Sequence, residues 1–195
     1  MTPAQLLVLL GRPVGVGGTT TWNPSDKGAG VDLSAADLVM TVDGATANIV
    51  RSTTSNATGA DKKYAELTAR GSADLRIGMA TDAASLSQML GANISGIGYG
   101  TDGALVAGGG TVASYSPYGL GDVIGIANAA GAKKIWWSLN GVWLNGDPSA
   151  GTGGYEYSAF VAYLSAGAAN GSGAELNCGQ EPFVYAVPSG FSPWG

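Results

Sequence analysis

Apolar residues in this chain come in short runs, and from Thr19 onward glycine, asparagine, aspartate or proline separates one run from the next. Runs of about four to eight residues between such turn formers are typical of β-strands. Many short strands at this spacing favour an all-β fold, a two-sheet antiparallel β-sandwich. Strands are predicted at Val31–Leu33, Leu38–Val42, Asn48–Ser52, Tyr64–Ala69, Asp74–Ala80, Ile97–Tyr99, Ala104–Ala107, Asp122–Ala127, Ser158–Leu164 and Ala174–Cys178, with a hairpin within Lys133–Asp147.

The hairpin is the clearest of these signals. Asn140 and Gly141 are the preferred pair for a two-residue turn, because both turn residues need positive φ. A turn at this point sets three cross-strand pairs, Leu139 with Val142, Ser138 with Trp143, and Trp137 with Leu144. The apolar and aromatic residues on both sides of the turn support the strand assignment.

Alternation along the hairpin strands separates their side chains into two faces. One face looks like a core and carries Ile135, Trp137, Leu139, Val142 and Leu144. The other face carries Trp136, Ser138 and Trp143. A sheet face turned to solvent has no need of two tryptophans, so we interpret Trp136 and Trp143 as part of an interface.

The first residues differ from the rest. Thr2–Leu10 can form two turns of helix, with a threonine N-cap followed by proline and a glycine at the far end. This segment is apolar nearly all round, and the flexible stretch Gly15–Gly18 follows it. We therefore predict an N-terminal anchoring arm at residues 1–18 and a sandwich domain at residues 19–195. The arm either packs on its own domain or inserts into a neighbouring subunit through Leu6, Leu7, Leu9 and Leu10. The other helical candidate is Ala83–Leu90, where Ser85–Met89 could form two turns.

Several motifs follow one another in a recognisable order. They are Trp22–Gly28, Lys63–Leu67, Arg76–Ala80, Gly121–Ile126, the hairpin with its Asn140-Gly141 turn, and the closing stretch Ala174–Phe183. This order resembles the SPRY domain over roughly residues 20–195, and it is most similar to the SPRY-like modules encoded by bacteriophages and prophages. Cys178 stands where that family usually has phenylalanine, and we expect it to be a small buried apolar residue.

The resemblance implies where a ligand binds. SPRY domains are interaction modules that engage partners through loops at one end of the sandwich and the adjacent sheet face. The implied contact loops lie around Tyr99–Asp102, Tyr115–Leu120 and Asn140–Asp147. Tyrosine and tryptophan are enriched in binding surfaces, and asparagine and aspartate can bind sugar hydroxyls. The candidate ligand- or partner-binding residues are Trp136, Trp143, Tyr99, Asp102, Tyr115, Tyr118, Asn140, Asn145 and Asp147.

Composition narrows the classes of partner. Only 12% of residues are charged and the mean hydropathy is positive, which favours a protein that is part of a larger assembly. A net charge of −5 argues against nucleic-acid binding, which needs a basic face. No stretch approaches the roughly 20 apolar residues of a membrane span, so no membrane insertion is expected.

Catalytic chemistry is hard to find in the sequence. The chain has no histidine, which removes the usual general base and most zinc sites. A polysaccharide-cleaving enzyme could still use two carboxylates facing one groove. The acids in or beside predicted strands show no paired spacing; they are Glu66, Asp74, Asp82, Asp102, Asp122 and Glu156. We therefore expect no enzymatic activity, no metal and no cofactor.

Together these observations lead to a hypothesis and an alternative. The first is a non-enzymatic phage-type virion protein, in which the SPRY-like sandwich of a tail fibre or tail tip binds a host-surface protein or glycan. The alternative is a structural capsid decoration or head-fibre protein whose partners are other virion subunits. In both, the expected location is the virion after synthesis in the bacterial cytoplasm, and the arm contacts other subunits. A homo-oligomer is expected because virion parts are symmetric.

Overall fold

The computed structural model describes residues 18–56, 61–71, 73–158 and 162–195. The predicted helix at Thr2–Leu10 and its four leucines lie outside the described residues, as does nearly all of the predicted arm. Within the described ranges the chain forms β-strands joined by turns and contains no helix.

The strands are short, as the sequence pattern predicted. In chain order they are β1 (Trp22–Lys27), β2 (Asp32–Ser34), β3 (Val39–Val42), β4 (Asn48–Asn56), β5 (Lys62–Arg70), β6 (Leu75–Ala80), β7 (Gly96–Gly100), β8 (Ala104–Ala107), β9 (Gly110–Ser114), β10 (Val123–Ala129), β11 (Lys134–Leu139), β12 (Val142–Trp143), β13 (Gly146–Asp147), β14 (Thr152–Gly153), β15 (Tyr155–Glu156), β16 (Ala162–Ala168), β17 (Ser172–Asn177) and β18 (Ser192–Pro193).

Two large sheets contain nearly all of these strands. The first, sheet A, has the order β1-β4-β16-β6-β7-β8-β9, and the second, sheet B, has the order β12-β11-β10-β5-β17-β3-β2. Strand β15 adds to sheet B beside β11, and β18 pairs with β5 in parallel. The other pairings in the two sheets are antiparallel. The predicted all-β, two-sheet antiparallel sandwich is therefore confirmed.

The core lies between the sheets and is built from alternating residues of both. Its largest fully buried side chains include Trp22 and Tyr99 from sheet A, Trp137 from sheet B, and Trp194 from the segment after β17. The indole N–H of Trp137 donates to the carbonyl of Ile77 across the sandwich, at 3.2 Å. The predicted burial of Cys178 is also confirmed, since its side chain belongs to this core.

The sandwich has two distinct ends. Strand β5 runs from Lys62 to Arg70, so at about 3.4 Å per residue the ends lie roughly 30 Å apart. At the terminal end, where β5 begins, Gly18 packs against the carbonyl groups of Cys178 and Trp194, and β18 pairs with Lys63. At the loop end lie the turns and loops at residues 73–74, 101–103, 115–122 and 140–141. Both ends of the described chain therefore lie far from those turns.

The predicted helix at Ser85–Met89 is wrong. Residues 81–92 form successive turns, such as the bond from the Ala92 N–H to the Met89 carbonyl at 3.0 Å, and they lie across the outer face of sheet A. Leu90 packs there so closely that a Cβ on Gly98 would lie 3.1 Å from its Cγ. A segment this short has little helical stability of its own, and contact with a glycine-lined sheet decides its path.

Candidate binding surface at the loop end of the sandwich

Two of the three loops implied by the sequence lie side by side. The loop after β7 and the segment after β9 are joined by backbone hydrogen bonds, from Tyr115 N–H to the Gly103 carbonyl at 2.8 Å and from Tyr118 N–H to the Thr101 carbonyl at 3.2 Å. The loop after β7 contains a turn that glycine favours, because Gly103 has a φ of +84°. The predicted contact loops are thus held as one unit.

Two tyrosines support this unit from inside. The Tyr118 hydroxyl donates to the carbonyl groups of Tyr99 and Leu75, at 3.0 and 3.1 Å, and the Tyr99 hydroxyl donates to the Ser116 carbonyl. Burial raises the pKa of Tyr99 to about 12, with a smaller contribution from the nearby Asp122 carboxylate. The side chains of Tyr99 and Tyr118 are both buried. These two candidate contact residues therefore lie beneath the loops as supports, and a direct contact between them and a partner stays a prediction.

The third loop joins through a pair of polar side chains. Asn140 occupies the hairpin turn with a φ of +48°, its amide oxygen accepts from the Val123 N–H at 2.9 Å, and its amide nitrogen donates to Asp122 at 2.8 Å. The other carboxylate oxygen of Asp122 accepts from the Gly119 N–H at 2.8 Å. The bond from Asn140, with that from Gly119, lowers the pKa of Asp122 below its ordinary value. This pair ties the hairpin turn to residues 119–122.

Two large apolar side chains project from this hydrogen-bonded frame. Leu120 is 75% exposed between Gly119 and Gly121, and Val142 is 67% exposed directly after the hairpin turn. The ring of Tyr185 lies against the same turn, since a Cβ on Gly141 would be 2.5 Å from its Cδ1. Single exposed apolar residues are ordinary on a protein surface, but two on neighbouring hydrogen-bonded turns define a candidate contact surface. We call Leu120, Val142, Asp122 and Asn140 the loop-end surface.

The sequence did not single out three of these four. Of the four, only Asn140 is among the predicted contact residues, although Leu120 and Val142 both lie within predicted contact loops. Strand alternation placed Val142 on the core face with Leu139, but β12 is only two residues long and ends the sheet, so the opposite sheet does not cover it. The sequence signal for Leu120 was its position as a single apolar residue between two glycines.

The predicted hairpin register is confirmed. Leu139 pairs with Val142 and Ser138 with Trp143, and the Leu144 N–H donates to the Trp137 carbonyl at 2.9 Å. Trp136 does lie on the face opposite Trp137, yet it is only 1% exposed. The expectation of a free aromatic face at Trp136 is therefore wrong.

The C-terminal segment covers that face. We call residues 183–194 the cover: Phe183 and Phe191 pack edge-on against Tyr64 and Trp136, with ring centroids 5.0 and 6.3 Å apart. The Trp136 indole N–H donates to the Thr152 carbonyl at 2.9 Å. Trp143 is half-buried at the margin of the same cluster, with its ring centroid 6.3 Å from that of Tyr64.

A buried carboxylate holds the cover in place. Glu66 lies on the outer face of sheet B and accepts hydrogen bonds from the backbone N–H groups of Val184 and Tyr185, at 2.7 and 2.8 Å. The Tyr64 hydroxyl donates to it at 3.0 Å, and burial, followed by the Glu66 charge, raises the pKa of that hydroxyl. From the sequence, Glu66 was recognised only as one of the acids in or beside predicted strands, and its role in holding the cover was not predicted.

The remaining predicted contact residues stabilise turns. Asn145 is half-buried and bonds the backbone of β11, donating to the Ile135 carbonyl at 3.2 Å. Asp102 and Asp147 are exposed, and each accepts from a backbone N–H two residues on, at 3.0 and 2.8 Å. Tyr115 is half-buried with its ring centroid 6.1 Å from that of Tyr99. Asp102 lies at the loop end, whereas Asn145 and Asp147 belong to the region around β13.

The acids do not form an arrangement with an obvious catalytic role. Asp74 and Asp102 line one small cleft of about 110 Å³ at the loop end. Asp74 accepts from the Asn170 side-chain amide at 2.6 Å, so both carboxylates in this cleft are engaged in stabilising turns. Among the described residues, no group of three or more histidine, cysteine, aspartate or glutamate side chains could hold a metal ion. No helix in that part of the chain could span a membrane.

Comparison with known proteins identifies the fold. The sequence matches no protein-family model, and no curated protein matches it. The structure is similar to the SPRY domain of human HERC1, with a TM-score of 0.66 and 12% identity over 80% of this chain and 96% of that one. A second human SPRY domain aligns with a TM-score of 0.56 and 15% identity, over 76% of this chain and 94% of that one. Stonustoxin aligns at 0.59 and 12% identity, over 81% of this chain and 27% of that one. The chain is a SPRY-like sandwich.

Proposed function

We propose that this chain is a non-enzymatic binding module that engages a protein partner through the loop-end surface. The observation that carries the proposal is the exposure of Leu120 and Val142 on a frame fixed by the Asp122–Asn140 hydrogen bonds. Because hydrogen bonds hold the turns that carry these side chains, little backbone entropy is lost when they bind a partner. The SPRY-like fold supports the proposal, since domains of that kind are typically protein-binding modules.

Burial of the aromatic residues favours a protein over a glycan as the partner. Stacking on a sugar ring needs an open aromatic face, and Trp136, Tyr99 and Tyr118 are all buried. The loop-end surface instead offers two aliphatic side chains beside the Asp122 carboxylate. A protein surface with an apolar residue and neighbouring N–H donors or a basic group would match this arrangement.

We further propose that the module is part of a phage-type virion. In a tail fibre or tail tip, the loop-end surface would bind a protein on the host surface. In a capsid decoration or head fibre, it would bind another virion subunit. The low charge of the chain and the apolar residues near its N-terminus support a place in a homo-oligomeric assembly. The separation of the terminal and loop ends suits a module that is attached at one end and binds at the other.

Particles carrying a loop-end variant would test the proposal. We would replace Leu120 and Val142 by aspartate together, and use Val112→Asp, an exposed position on the edge strand β9, as the matched control. A host-binding role requires that particles assemble normally and adsorb poorly to cells. A structural role requires that the double variant be missing from purified particles. Normal incorporation together with normal adsorption would overturn the proposal.

A further inference from the structure

We infer that a cleft at the terminal end receives the leucine segment Leu6–Leu10 of this same chain. This inference goes beyond the proposed loop-end binding and does not depend on it. Three observations support this occupant: the lining of the cleft, the composition of residues 1–17, and the position of Gly18, where the described chain begins.

The cleft opens between the two sheets beside β15 and has a volume of about 220 Å³. Its walls are mostly apolar or glycine backbone on the side of sheet A and tyrosine on the side of sheet B. The lining residues are Ile94, Gly96, Ile97, Ala107, Gly108, Tyr155, Glu156, Tyr157 and Ser158. Ile94 stands at its rim and is 86% exposed, the largest exposure among the large hydrophobic side chains described. A cleft of this size has room for aliphatic side chains but not for another domain.

Residues 1–17 carry the complementary chemistry. Four leucines and a valine occupy positions 6–10, and exposing all of them to water is unfavourable. The only charged side chain among residues 1–17 is that of Arg12, two residues after Leu10. The exposed carboxylate at the cleft is Glu156, whose single ion pair in the described residues is with Lys134 at 3.6 Å. An arginine arriving beside it would meet an opposite charge.

The described chain begins within reach of the cleft. Gly18 lies beside Trp194, and β18 next to it pairs with β5. From β5 the path across the terminal end runs through β10 and β11 to β15, so strand spacings of about 4.8 Å give roughly 15–20 Å. Seven residues separate Leu10 from Gly18, and a flexible chain of that length has an r.m.s. span of about 15 Å. The leucine segment of the same chain can therefore reach the cleft.

Disulfide trapping tests the contact directly. The chain has one cysteine, Cys178, whose thiol is buried, and burial raises its pKa, so it stays out of exchange. We would introduce Leu7→Cys with Ile94→Cys in the full chain and follow cross-linking under mild oxidation. The matched control pairs Leu7→Cys with Leu120→Cys, an equally exposed position at the opposite end. Because docking raises the local concentration of the two thiols, we expect the Ile94 pair to form at least about tenfold faster.

The size of the product shows which copy supplies the segment. A cross-link within one chain places the segment in the cleft of its own copy, as inferred. A cross-linked dimer as the main product would place it in a neighbour's cleft and would overturn the assignment to the same chain. Equal rates for the Ile94 and Leu120 pairs, or no cross-link at all, would overturn it. As a second measurement, Ile94→Cys alone should react faster with a maleimide when Leu6 and Leu9 are replaced by serine. An unchanged labelling rate would also contradict the inference.

Discussion

Glu66 shows how one side chain can determine which face of a sheet is open. Its carboxylate is buried and accepts three hydrogen bonds, two of them from the backbone of the cover. Burying a charge without such partners would be costly, so the acid and the segment that it binds depend on each other. The residue that keeps Trp136 covered is therefore an acid and not an aromatic residue. It lies on β5, which β10 separates from the strand of Trp136.

Replacing Glu66 by glutamine should destabilise the protein. The amide has only one oxygen acceptor for the two backbone N–H groups, and charge-assisted bonds are lost, so the free energy of unfolding should fall by about 1.5–3 kcal/mol. Urea unfolding followed by tryptophan fluorescence would measure this change. The control is Glu175→Gln, because Glu175 forms a half-exposed ion pair with Arg70 and should change stability by less than about 1 kcal/mol. Equal effects of the two variants would contradict the role given to Glu66.

The Asp122–Asn140 bond predicts a specific titration. Because its partners lower the pKa of Asp122 in the folded state, this carboxylate stabilises the fold above its ordinary pKa of 3.8, and that stabilisation disappears as the pH falls through the lower folded value. Asn140→Gly keeps the positive φ of the turn and removes the side-chain amide. NMR titration of the Asp122 carboxyl should then show a pKa shifted upward toward 3.8. A pKa that is the same in both proteins would show that Asn140 does not hold this carboxylate.

At the scale of elements, sequence patterns correctly predicted the features that residues close in sequence determine. The Asn140-Gly141 turn predicted the hairpin register correctly, and the alternation around Trp137 predicted its inner face correctly except at Val142. The pattern could not show that residues 183–194 cover the outer face, because that contact joins positions some 50 residues apart and has no periodicity of its own. The same reason explains the wrong helix at Ser85–Met89, where packing on the glycines of sheet A decides the conformation. Edge strand β9 was missed because Gly110–Ser114 has little apolar content.

Loss of a cover contact should expose Trp136. Phe191→Ala removes the edge-on contact to that indole and the Lys62 ammonium contact at 5.5 Å from the phenyl centroid. Since Phe191 is half-buried, we expect a loss of roughly 1–3 kcal/mol in the free energy of unfolding, together with stronger acrylamide quenching of tryptophan fluorescence. Val184→Ala, a largely exposed position on the same segment, should change stability by no more than about 0.5 kcal/mol. Unchanged quenching in Phe191→Ala would mean that the cover does not shield Trp136.

At the scale of the whole molecule, the sandwich separates two groups of features by roughly 30 Å. The terminal end gathers the ends of the described chain, four lysines at positions 62, 63, 133 and 134, and the cleft beside β15. The loop end gathers the fixed turns, the acids Asp74, Asp102 and Asp122, and the exposed Leu120 and Val142. This division is what a module needs if it is attached at one end and binds a partner at the other.

The most direct test of that account is site-specific photo-cross-linking in the native assembly. A benzophenone amino acid would be placed at position 120, at position 142 and, as a control, at position 112 on the edge strand β9. We expect a discrete cross-linked protein at 120 and 142 with little or none at 112, and its identity would separate a host-surface protein from another virion subunit. Efficient cross-linking at 112 with none at 120 or 142 would contradict the loop-end surface as the place where the partner binds.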